Sequence, residues 1–480
     1  MAISSIGVGS GIDLETLVTD LVAAEREPKE LSLNLKETLA NASISALGGL
    51  KSTVSAFQDS LENLKNTDFY SGRTATSGDS TLFTVSTESE ANLGSYTIEM
   101  SQLASANKVA TNAAFADPNA TVGEGTLSIG VLGGNSFDIV VAATDNLTAV
   151  RDAINNAADN IGVTASLITG TLGTELVITA NNSGVANQLN ISVVDTGDAL
   201  NQDANGLSRL FYDGSDPDNS INGLNQIQQI DAAQDAEIYV DGFAATSSTN
   251  EFSGVLEGIT ITALADDGGE ATLPSASLVV STDKTSVKGA IETFVASYNE
   301  LITVLNSLTD YDQATGTRGL LSGDATISTL ENQVRRVITD TVDRADGSLN
   351  NLALLGVSTN SNGSVALDDA ALDNIINNNF DNIGSLMSGE NGITTRLDDL
   401  LDSFLKFDGL FATKEDTLNT QLRDIEDQRA KLEFRLTAIE ERFRSQFAAL
   451  DILVSQLNTT GDFLTQQLDA AAQIVNGNNS

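Results

Sequence analysis

The chain has 480 residues and a formal net charge of −42, from 24 Lys and Arg against 66 Asp and Glu. Such a charge argues against nucleic acid and against an anionic membrane surface as partners, because both require cationic side chains. Cysteine and histidine are absent, which excludes disulfides, Cys/His metal sites and catalytic triads built on histidine. Only carboxylate chemistry would remain, and no spacing among the acidic residues stands out. We therefore expect a protein that is not an enzyme and that holds no cofactor and no metal.

A glycine-rich segment, IGVGSGID, lies near the N-terminus. A nucleotide loop of the G-x-G-x-x-G type would need its third glycine one residue further along, and Asp13 would repel a phosphate. We predict that Gly7, Gly9 and Gly11 form a flexible lead-in and that Asp13 caps a helix. Apolar residues at helical spacing predict that helix: Leu14, Leu17, Val18, Leu21 and Val22.

The N-terminal region has neither the basic nor the apolar segment of a secretory signal. The chain also contains no run of about 18 uncharged apolar residues, the length that crosses a membrane. We expect no cleaved signal peptide and no membrane insertion. Taken alone, this predicts a protein that stays inside the cell, unless it leaves by a route that reads no cleaved signal.

Further helices are predicted on both sides of the middle region. Pro28 is predicted to be the first residue of a second helix. Spacings of three and four residues give that helix a coiled-coil seam: Leu47, Leu50, Val54, Phe57, Leu61 and Leu64. From residue 285 another helix is indicated by its apolar residues: Val287, Ile291, Phe294, Val295, Tyr298, Ile302 and Leu305.

Residues 75–282 differ from both flanks, with 26 acidic side chains and only three basic ones, Lys108, Arg151 and Arg209. Short β-rich runs bounded by Gly, Asn and Asp predict strands: TLSIGV (126–131), SFDIVVA (136–142), ELVITA (175–180) and AEIYVDG (236–242). One amphipathic helix interrupts them, with Leu147, Val150 and Ile154 on its apolar face. We predict an α+β region made of two small domains.

The longest periodic pattern lies near the C-terminus and alternates spacings of four and three residues over more than five heptads. Ten of its twelve positions are apolar. The two polar members, Arg429 and Gln446, either set register and partner number or mark where the seam faces water. An ordinary antiparallel bundle without a partner is the alternative for the whole pattern. Its members are Leu418, Leu422, Ile425, Arg429, Leu432, Leu436, Ile439, Phe443, Gln446, Leu450, Leu453 and Leu457.

The predicted fold class is α+β and multidomain, with β-rich head domains inserted between N- and C-terminal helices that form a coiled-coil or bundle leg. We expect the two ends of the chain to pack on each other. The predicted domains are a terminal coiled-coil leg of residues 1–40 and 441–480 (flexible in the free monomer), a helical bundle of 41–75 and 283–440, a head domain of 76–120 and 230–282, and a second head domain of 121–229.

Several segments follow one another in an order that matches a known family. They are SSIGVGSGIDLETLVTDLVAAEREPKE (4–30), ISALGGLKSTVSAFQDSLENL (44–64), LGSYTIEMSQLASANKV (93–109), residues 126–180, the stretch from DAEIYVDG to SLTDYD (235–312) and FAALDILVSQLNTTGDFLTQQL (447–468). Over nearly its whole length the chain resembles the flagellar filament cap protein (hook-associated protein 2) family. Within this resemblance, residues 126–180 are similar to a module that recurs in hook-associated proteins and flagellins.

The resemblance implies export through the flagellar type III apparatus and a location outside the cell at the flagellum tip. There, a ring of copies, commonly a pentamer, would retain exported flagellin and promote its folding and insertion. The implied partners are flagellin, further copies of the chain, hook–filament junction proteins and a cytosolic export chaperone. We predict that the apolar residues of the terminal helices form the coiled-coil and filament-docking interface. They are Leu14, Leu17, Val18, Leu21, Leu47, Leu50, Val54, Phe57, Leu61, Leu64, Leu418, Leu422, Ile425, Leu432, Leu436, Ile439, Phe443, Gln446 (the one polar member), Leu450, Leu453 and Leu457.

Two other functions stay open on the sequence. A flagellin-like or hook–filament junction subunit would share the coiled-coil ends and the β-rich insertion. An adhesin-like protein would use the acidic head to bind a host glycan or mucin. Microscopy separates the first alternative, because a cap forms small closed rings and a flagellin forms long filaments.

The acidic loop DGSDPDNSING offers Asp213, Asp216, Asp218 and Ser220 as oxygen ligands for calcium. An EF-hand loop needs a glycine at its sixth position and a glutamate at its twelfth, where this chain has isoleucines. We predict an Asx-rich turn instead. ADDGGE (265–270) is predicted to be a hairpin tip on the same reasoning.

Overall fold

The computed structural model describes residues 13–477, apart from residues 113, 221–222, 267, 269–271, 313–315 and 343–348. The predicted glycine lead-in, Gly7 to Gly11, lies outside the described residues. The helices are α1 Leu14–Lys65, α2 Leu147–Asn156, α3 Lys284–Thr309, α4 Ala325–Thr339, α5 Asp369–Asn378, α6 Asp381–Met387, α7 Ile393–Leu405 and α8 Leu410–Gly477, with short 3-10 turns at Thr67–Ser71, Val185–Asn187 and Gly206–Leu210.

Most strands lie between α1 and α3. They are β1 Arg73–Ser77, β2 Phe83–Thr87, β3 Gly94–Gln102, β4 Ala106–Thr111, β5 Gly125–Val131, β6 Ser136–Val141, β7 Val163–Gly170, β8 Gly173–Ser183, β9 Leu189–Asp195, β10 Ile227–Asp231, β11 Ala236–Val240, β12 Phe243–Ser247, β13 Glu251–Leu256, β14 Ile259–Ala263 and β15 Ser275–Thr282. Two small hairpins follow, formed by β16 Tyr311–Asp312, β17 Thr317–Arg318, β18 Val357–Thr359 and β19 Val365–Leu367.

The chain divides into two compact units, Met1–Phe69 with Lys284–Ser480, and Tyr70–Asp283. The first unit is mainly helical and holds both ends of the chain, whereas the second, which we call the head, is β-rich. The predicted fold class, helical ends around a β-rich insertion, is confirmed. The finer division into four domains stays a prediction.

Helix α1 begins after Asp13, as the sequence predicts, but it continues through Pro28, where the sequence predicts a new helix. Asp13 is its N-cap and accepts a hydrogen bond from the Thr16 N–H at 3.0 Å, as expected for this residue type. The prediction that a second helix begins at Pro28 is wrong, because Pro28 lies inside α1. Proline removes one helical hydrogen bond, at a cost of about 3 kcal/mol. The helix continues because Arg26 and Leu33, on either side of Pro28, pack against α8.

The second half of α1 is the centre of a helical bundle and packs against α3 and α7. Its seam residues are all buried there: Leu47, Leu50, Val54, Phe57, Leu61 and Leu64. Phe57 is fully buried, with ring centroids 5.8 Å from Phe294 and 5.9 Å from Tyr298. This aromatic cluster fixes α1 against α3.

A carboxylate at the start of α4 anchors α8 to the same bundle. Asp324 caps α4 by accepting from the N–H groups of Thr326 and Ile327, and it pairs with Lys414 of α8 at 2.5 Å. Burial acts to raise the pKa of Asp324, but the hydrogen bond from Lys414, the capping N–H groups and the Lys414 charge outweigh it and hold the pKa below its usual 3.8. The first turn of α8 is thereby fixed by a charged contact.

The head contains two packed cores of antiparallel strands. One core lies between a five-stranded sheet, of order β1-β15-β3-β11-β12, and a three-stranded sheet, β13-β14-β2. The other core lies among the sheets β10-β4-β8-β7 and β6-β5-β9 and helix α2. The four predicted strand segments fall in β5, β6, β8 and β11, and the predicted helix is α2. Val109 and Phe115 belong to the second core, although the predicted boundary placed residues 76–120 in the first head domain.

The described part of the loop that offered calcium ligands contains successive Asx turns. Asp213 accepts from the Ser215 N–H at 2.9 Å, and Asp218 accepts from the Ser220 N–H at 3.2 Å. Among the described residues no group of three or more acidic side chains is placed to hold a metal ion. The Asx-rich turn is confirmed. ADDGGE falls partly outside the described residues, and within it Gly268 N–H donates to Asp266 at 3.1 Å.

We expect Phe57→Ala to destabilise the helical unit by about 3–5 kcal/mol, because it empties an aromatic site in the bundle core. Calorimetry of the full chain measures the loss. Ser52→Ala, an exposed change on the same helix, is the matched control and should leave the transition in place. Equal stability of the two variants would contradict the aromatic anchor.

The Asp324–Lys414 pair predicts a specific acid sensitivity. The folded-state pKa of Asp324 lies below the usual 3.8. The Asp324 carboxylate therefore stabilises the folded state fully at pH values above 3.8, and this stabilisation is lost as the pH falls through the folded-state pKa. We expect the stability difference between the wild type and Asp324→Asn to shrink as the pH falls from about 6 to about 3. Denaturant unfolding at each pH measures it. Asp416→Asn, at an exposed site on α8, should show no such trend.

The helical leg as candidate docking interface

We use the term leg for residues 14–43 of α1 and residues 418–446 of α8, which run side by side in opposite directions. The antiparallel direction follows from the ion pairs, since Glu15 meets Arg444 whereas Glu37 meets Arg429. A buried line of apolar residues joins the two helices, and Val22 packs against it. Its members are Leu33, Ile425, Leu432 and Leu436. The leg is thus a two-helix antiparallel coiled coil.

Bidentate ion pairs set the register of the leg. The Arg26 guanidinium donates to both carboxylate oxygens of Glu433, at 2.5 and 2.8 Å. The Arg444 guanidinium donates to Glu15, and this hydrogen bond lowers the pKa of the Glu15 carboxyl. These pairs are exposed, so each contributes little to stability, but their planar geometry favours one alignment over its neighbours.

The two polar members of the C-terminal seam have different roles. Arg429 reaches across to α1 and donates to Asn34 and Glu37, as a residue that sets the register does. Gln446 is exposed, so in this chain it lies where the seam faces water. The sequence left both interpretations open for each residue.

The predicted interface residues fall into a buried and an exposed group. Leu14 and Val18 are buried, as is the seam from Leu47 to Leu64. Fully buried side chains have no surface to offer to a partner, so these residues act within the chain. Leu418, Ile425, Leu432 and Leu436 are buried along α8, and Leu422, Ile439 and Phe443 are half-buried. The exposed members are Leu17, Leu21, Gln446, Leu450, Leu453 and Leu457.

Sequence reasoning missed a second apolar line on α1. Leu31, Leu35 and Leu39 are 60%, 61% and 49% exposed, and their spacing of four residues places them on one face of the helix. Leu17 and Leu21 continue the same face towards the N-terminus. The signal is present in the sequence as a repeat of leucines, but the predicted helix start at Pro28 separates Leu17 and Leu21 from the leucines that follow it.

Residues 447–477 of α8, which we call the tail, extend beyond the described end of α1. At the helical rise the tail is roughly 45 Å long. Every residue from 456 to 472 is exposed, and Leu450, Leu453 and Leu457 are 47%, 56% and 63% exposed. Among the described residues no helix is long and apolar enough to cross a membrane. The tail is therefore an amphipathic helix with an uncovered leucine face.

A groove runs along one flank of the leg. It has a volume of about 430 Å³ and is lined by Pro28, Lys29, Ser32, Leu33, Lys36, Gln428, Lys431, Leu432 and Arg435. A second hollow of about 370 Å³ shares Lys36 and Gln428 with it and continues past Leu39 and Ser43. Four cationic side chains therefore line one groove of a chain whose net charge is −42.

Comparison with known proteins places this architecture in a family. Residues 10–107 match the profile described as flagellar hook-associated protein 2 N-terminus, and residues 233–459 match its C-terminus. Residues 126–182 match the flagellin hook IN motif. The B-type flagellar hook-associated protein 2 of Pseudomonas aeruginosa is 31% identical, with 98% of each chain covered. The chain belongs to the flagellar hook-associated protein 2 family.

Other members of the family agree with this assignment. The flagellar hook-associated protein 2 of Escherichia coli K12 is 31% identical, with 98% of each chain covered. The crystal structure of the D1-D2-D3 domains of the Escherichia coli flagellar cap protein FliD is similar with a TM-score of 0.60 and 30% identity. The match covers 78% of this chain and 99% of that structure. The sequence-based resemblance to this family is confirmed.

The leg geometry predicts that packing and ion pairs contribute unequally. We expect Leu436→Ala, at a buried site between the helices, to destabilise the leg by about 2 kcal/mol or more. Arg26→Ala removes only an exposed ion pair and should cost about 1 kcal/mol or less. Amide exchange across residues 418–436 measures both. A larger effect from Arg26→Ala would contradict the view that apolar burial holds the leg together.

Proposed function

We propose that the chain caps the distal end of a bacterial flagellar filament as one member of a ring that retains exported flagellin and promotes its insertion at the tip. Membership of the flagellar hook-associated protein 2 family over 98% of the chain is the observation that supports this function. The similarity to the flagellar cap protein FliD supports the same role. The function is structural, and its chemistry is apolar docking between helices.

The docking surface is the exposed apolar part of the leg and its tail. It consists of Leu450, Leu453 and Leu457 of the tail together with the exposed leucines of α1, which we call the outer leucines: Leu17, Leu21, Leu31, Leu35 and Leu39. An isolated helix with an uncovered leucine face gains stability when a partner helix covers that face. We propose that the terminal helices of flagellin at the filament end are that partner.

The remaining partners follow from the family. The ring is proposed to be a pentamer, with hook–filament junction proteins as neighbours during assembly. The exposed leucines of the tail need cover before export, which supports a cytosolic chaperone as a transient partner. The chain is proposed to leave the cell without a cleaved signal peptide and to remain at the flagellum tip. The absence of cysteine means that no disulfide forms during passage.

The rival functions gain less support. The flagellin hook IN motif at residues 126–182 is compatible with a filament subunit, but the N- and C-terminal matches are to hook-associated protein 2. The adhesin hypothesis gains no support from these families.

Deletion of the gene tests the cap directly, because cells without a cap should export flagellin into the medium and build no filaments. Normal filaments in that strain would overturn the proposal.

The docking surface predicts the outcome of a double substitution in the tail. Leu450→Asp with Leu457→Asp places two charges where a partner should bury leucines, at a cost of several kcal/mol. We expect cells with this variant to lack filaments and to release flagellin into the medium. The thermal transition of the head should not move, because both head cores lie within residues 70–283.

The matched control is Thr459→Asp with Gln466→Asp, which adds the same charge to the opposite face of the same exposed helix. Flagellin in the filament and supernatant fractions is measured for both variants. Normal filaments from the leucine variant would show that the tail leucines do not hold the cap. Loss of filaments from both variants would show that charge alone, and not the leucine face, is responsible.

A further inference from the structure

The groove on the leg combines two features that differ from the rest of the chain. It is cationic, with Lys29, Lys36, Lys431 and Arg435 along its length, whereas the chain as a whole is strongly acidic. Its floor is formed by apolar residues of the leg, including Leu33 and Leu432. A surface with an apolar floor and charged walls of one sign is suited to a helix of the opposite sign.

The charges on the two flanks of the leg are arranged differently. At about 100° per residue, Arg26 and Glu37 lie on one flank of the buried line of α1, and Lys29 and Lys36 lie on the other. On the first flank the cations are neutralised by acids of the opposite helix, as in Arg26–Glu433. On the groove flank Lys36 and Lys431 form no ion pair with any described residue.

The carboxylates near the groove do not balance these cations. Glu25 pairs with Lys29 at 3.1 Å and lies 3.6 Å from Arg435. Asp424 is the acidic residue that lines the adjoining hollow. The groove therefore keeps an excess of positive charge, which attracts an acidic partner and repels a basic one.

The shape of the groove indicates that its occupant is a helix. The two hollows together follow α1 from Pro28 to Ser43, about 22 Å at the helical rise. Leu39 forms part of the wall, and Leu35 extends the apolar surface outwards from it. A third helix lying along this flank would cover these leucines and complete a three-helix coiled coil.

The tail of a second copy has the wrong chemistry for this position. Its acidic side chains include Asp462 and Asp469, and by helical spacing both lie on the face opposite Leu453 and Leu457. A helix placed in the groove through its leucines would direct these carboxylates away from the lysines. The groove needs acids beside the apolar stripe.

We propose that this groove binds an acidic amphipathic helix of flagellin at the filament end, with carboxylates flanking its apolar stripe. This inference rests on the proposed capping function and names the chemistry that the docking partner must have. Lys29 and Lys36 are two helical turns apart, so the matching carboxylates lie about 10 Å apart on the partner. The cations orient the incoming helix, and the leucines supply the contact area.

Charge reversal in the groove tests the proposal on the full chain. Lys36→Glu with Lys431→Glu should weaken binding to the ends of sheared filaments about tenfold or more. It should also abolish the salt dependence of that binding. Both side chains are exposed and form no ion pair with a described residue, so the fold should persist, and circular dichroism checks it. Lys51→Glu with Lys406→Glu is the control, with the same charge change at exposed sites outside the groove.

A cross-link identifies the occupant. The chain contains no cysteine, so Ser32→Cys in the groove carries a photo-reactive maleimide at a single site. On illumination with sheared filaments we expect it to label an acidic amphipathic segment of flagellin. The same label at Thr38→Cys, by helical spacing on the face of α1 away from the groove, should not label that segment.

The outcomes separate the two proposals. A wild-type chain that does not bind filament ends overturns the capping function and this inference with it. Wild-type binding that the groove variant matches, with unchanged salt dependence, overturns the groove alone. Labelling of a second copy of the chain, or of a flagellin segment without acidic residues, also overturns it.

Discussion

The structure of the leg depends on the burial of one apolar line between two helices from opposite ends of the chain. Leu33 of α1 lies in one apolar cluster with Ile425, Leu432 and Leu436 of α8, and this cluster holds residues nearly 400 positions apart side by side. Each helix alone has a low average hydrophobicity and is stabilised by pairing more than by propensity. The exposed leucines, the cationic groove and the tail all take their positions from this pair.

Electrostatics adds specificity to a contact that apolar burial stabilises. Exposed ion pairs such as Arg26–Glu433 contribute little energy, but their bidentate geometry favours the observed alignment of the two helices. The acidic composition makes the remaining cations informative. The chain has 24 basic side chains, and four of them line one groove of the leg. Lys29 and Arg435 share the single carboxylate of Glu25, so the groove keeps an excess of positive charge that the opposite flank does not have.

Much of the fold could be predicted from the sequence because its signals are local. Asp13 as an N-cap and the strands β5 and β6 follow from short patterns whose physics is complete within a few residues. The prediction of a helix start at Pro28 was wrong because packing on α8 outweighs the free-energy cost of a proline inside a helix, about 3 kcal/mol. No local sequence pattern reports that packing. The outer leucines of α1 were missed for the same reason.

The interface was harder to predict, because a heptad pattern shows that a face is apolar but not what covers it. Leu50 and Leu453 have the same kind of spacing, yet Leu50 is fully buried in the part of α1 that packs in the bundle, whereas Leu453 is 56% exposed. Which seam is internal depends on the path of the whole chain. Arg429 and Gln446 illustrate the same limit, since one reaches across to α1 and the other faces water.

The central claim is that the leg and tail, rather than the head, hold the chain on its filament. Hydrogen exchange of the full chain, free and bound to the ends of sheared filaments, tests it most directly. The account predicts that protection appears across residues 447–472 and along the groove, with the head strands exchanging at unchanged rates. Protection confined to residues 70–283, with the tail exchanging as fast as in the free chain, would contradict it.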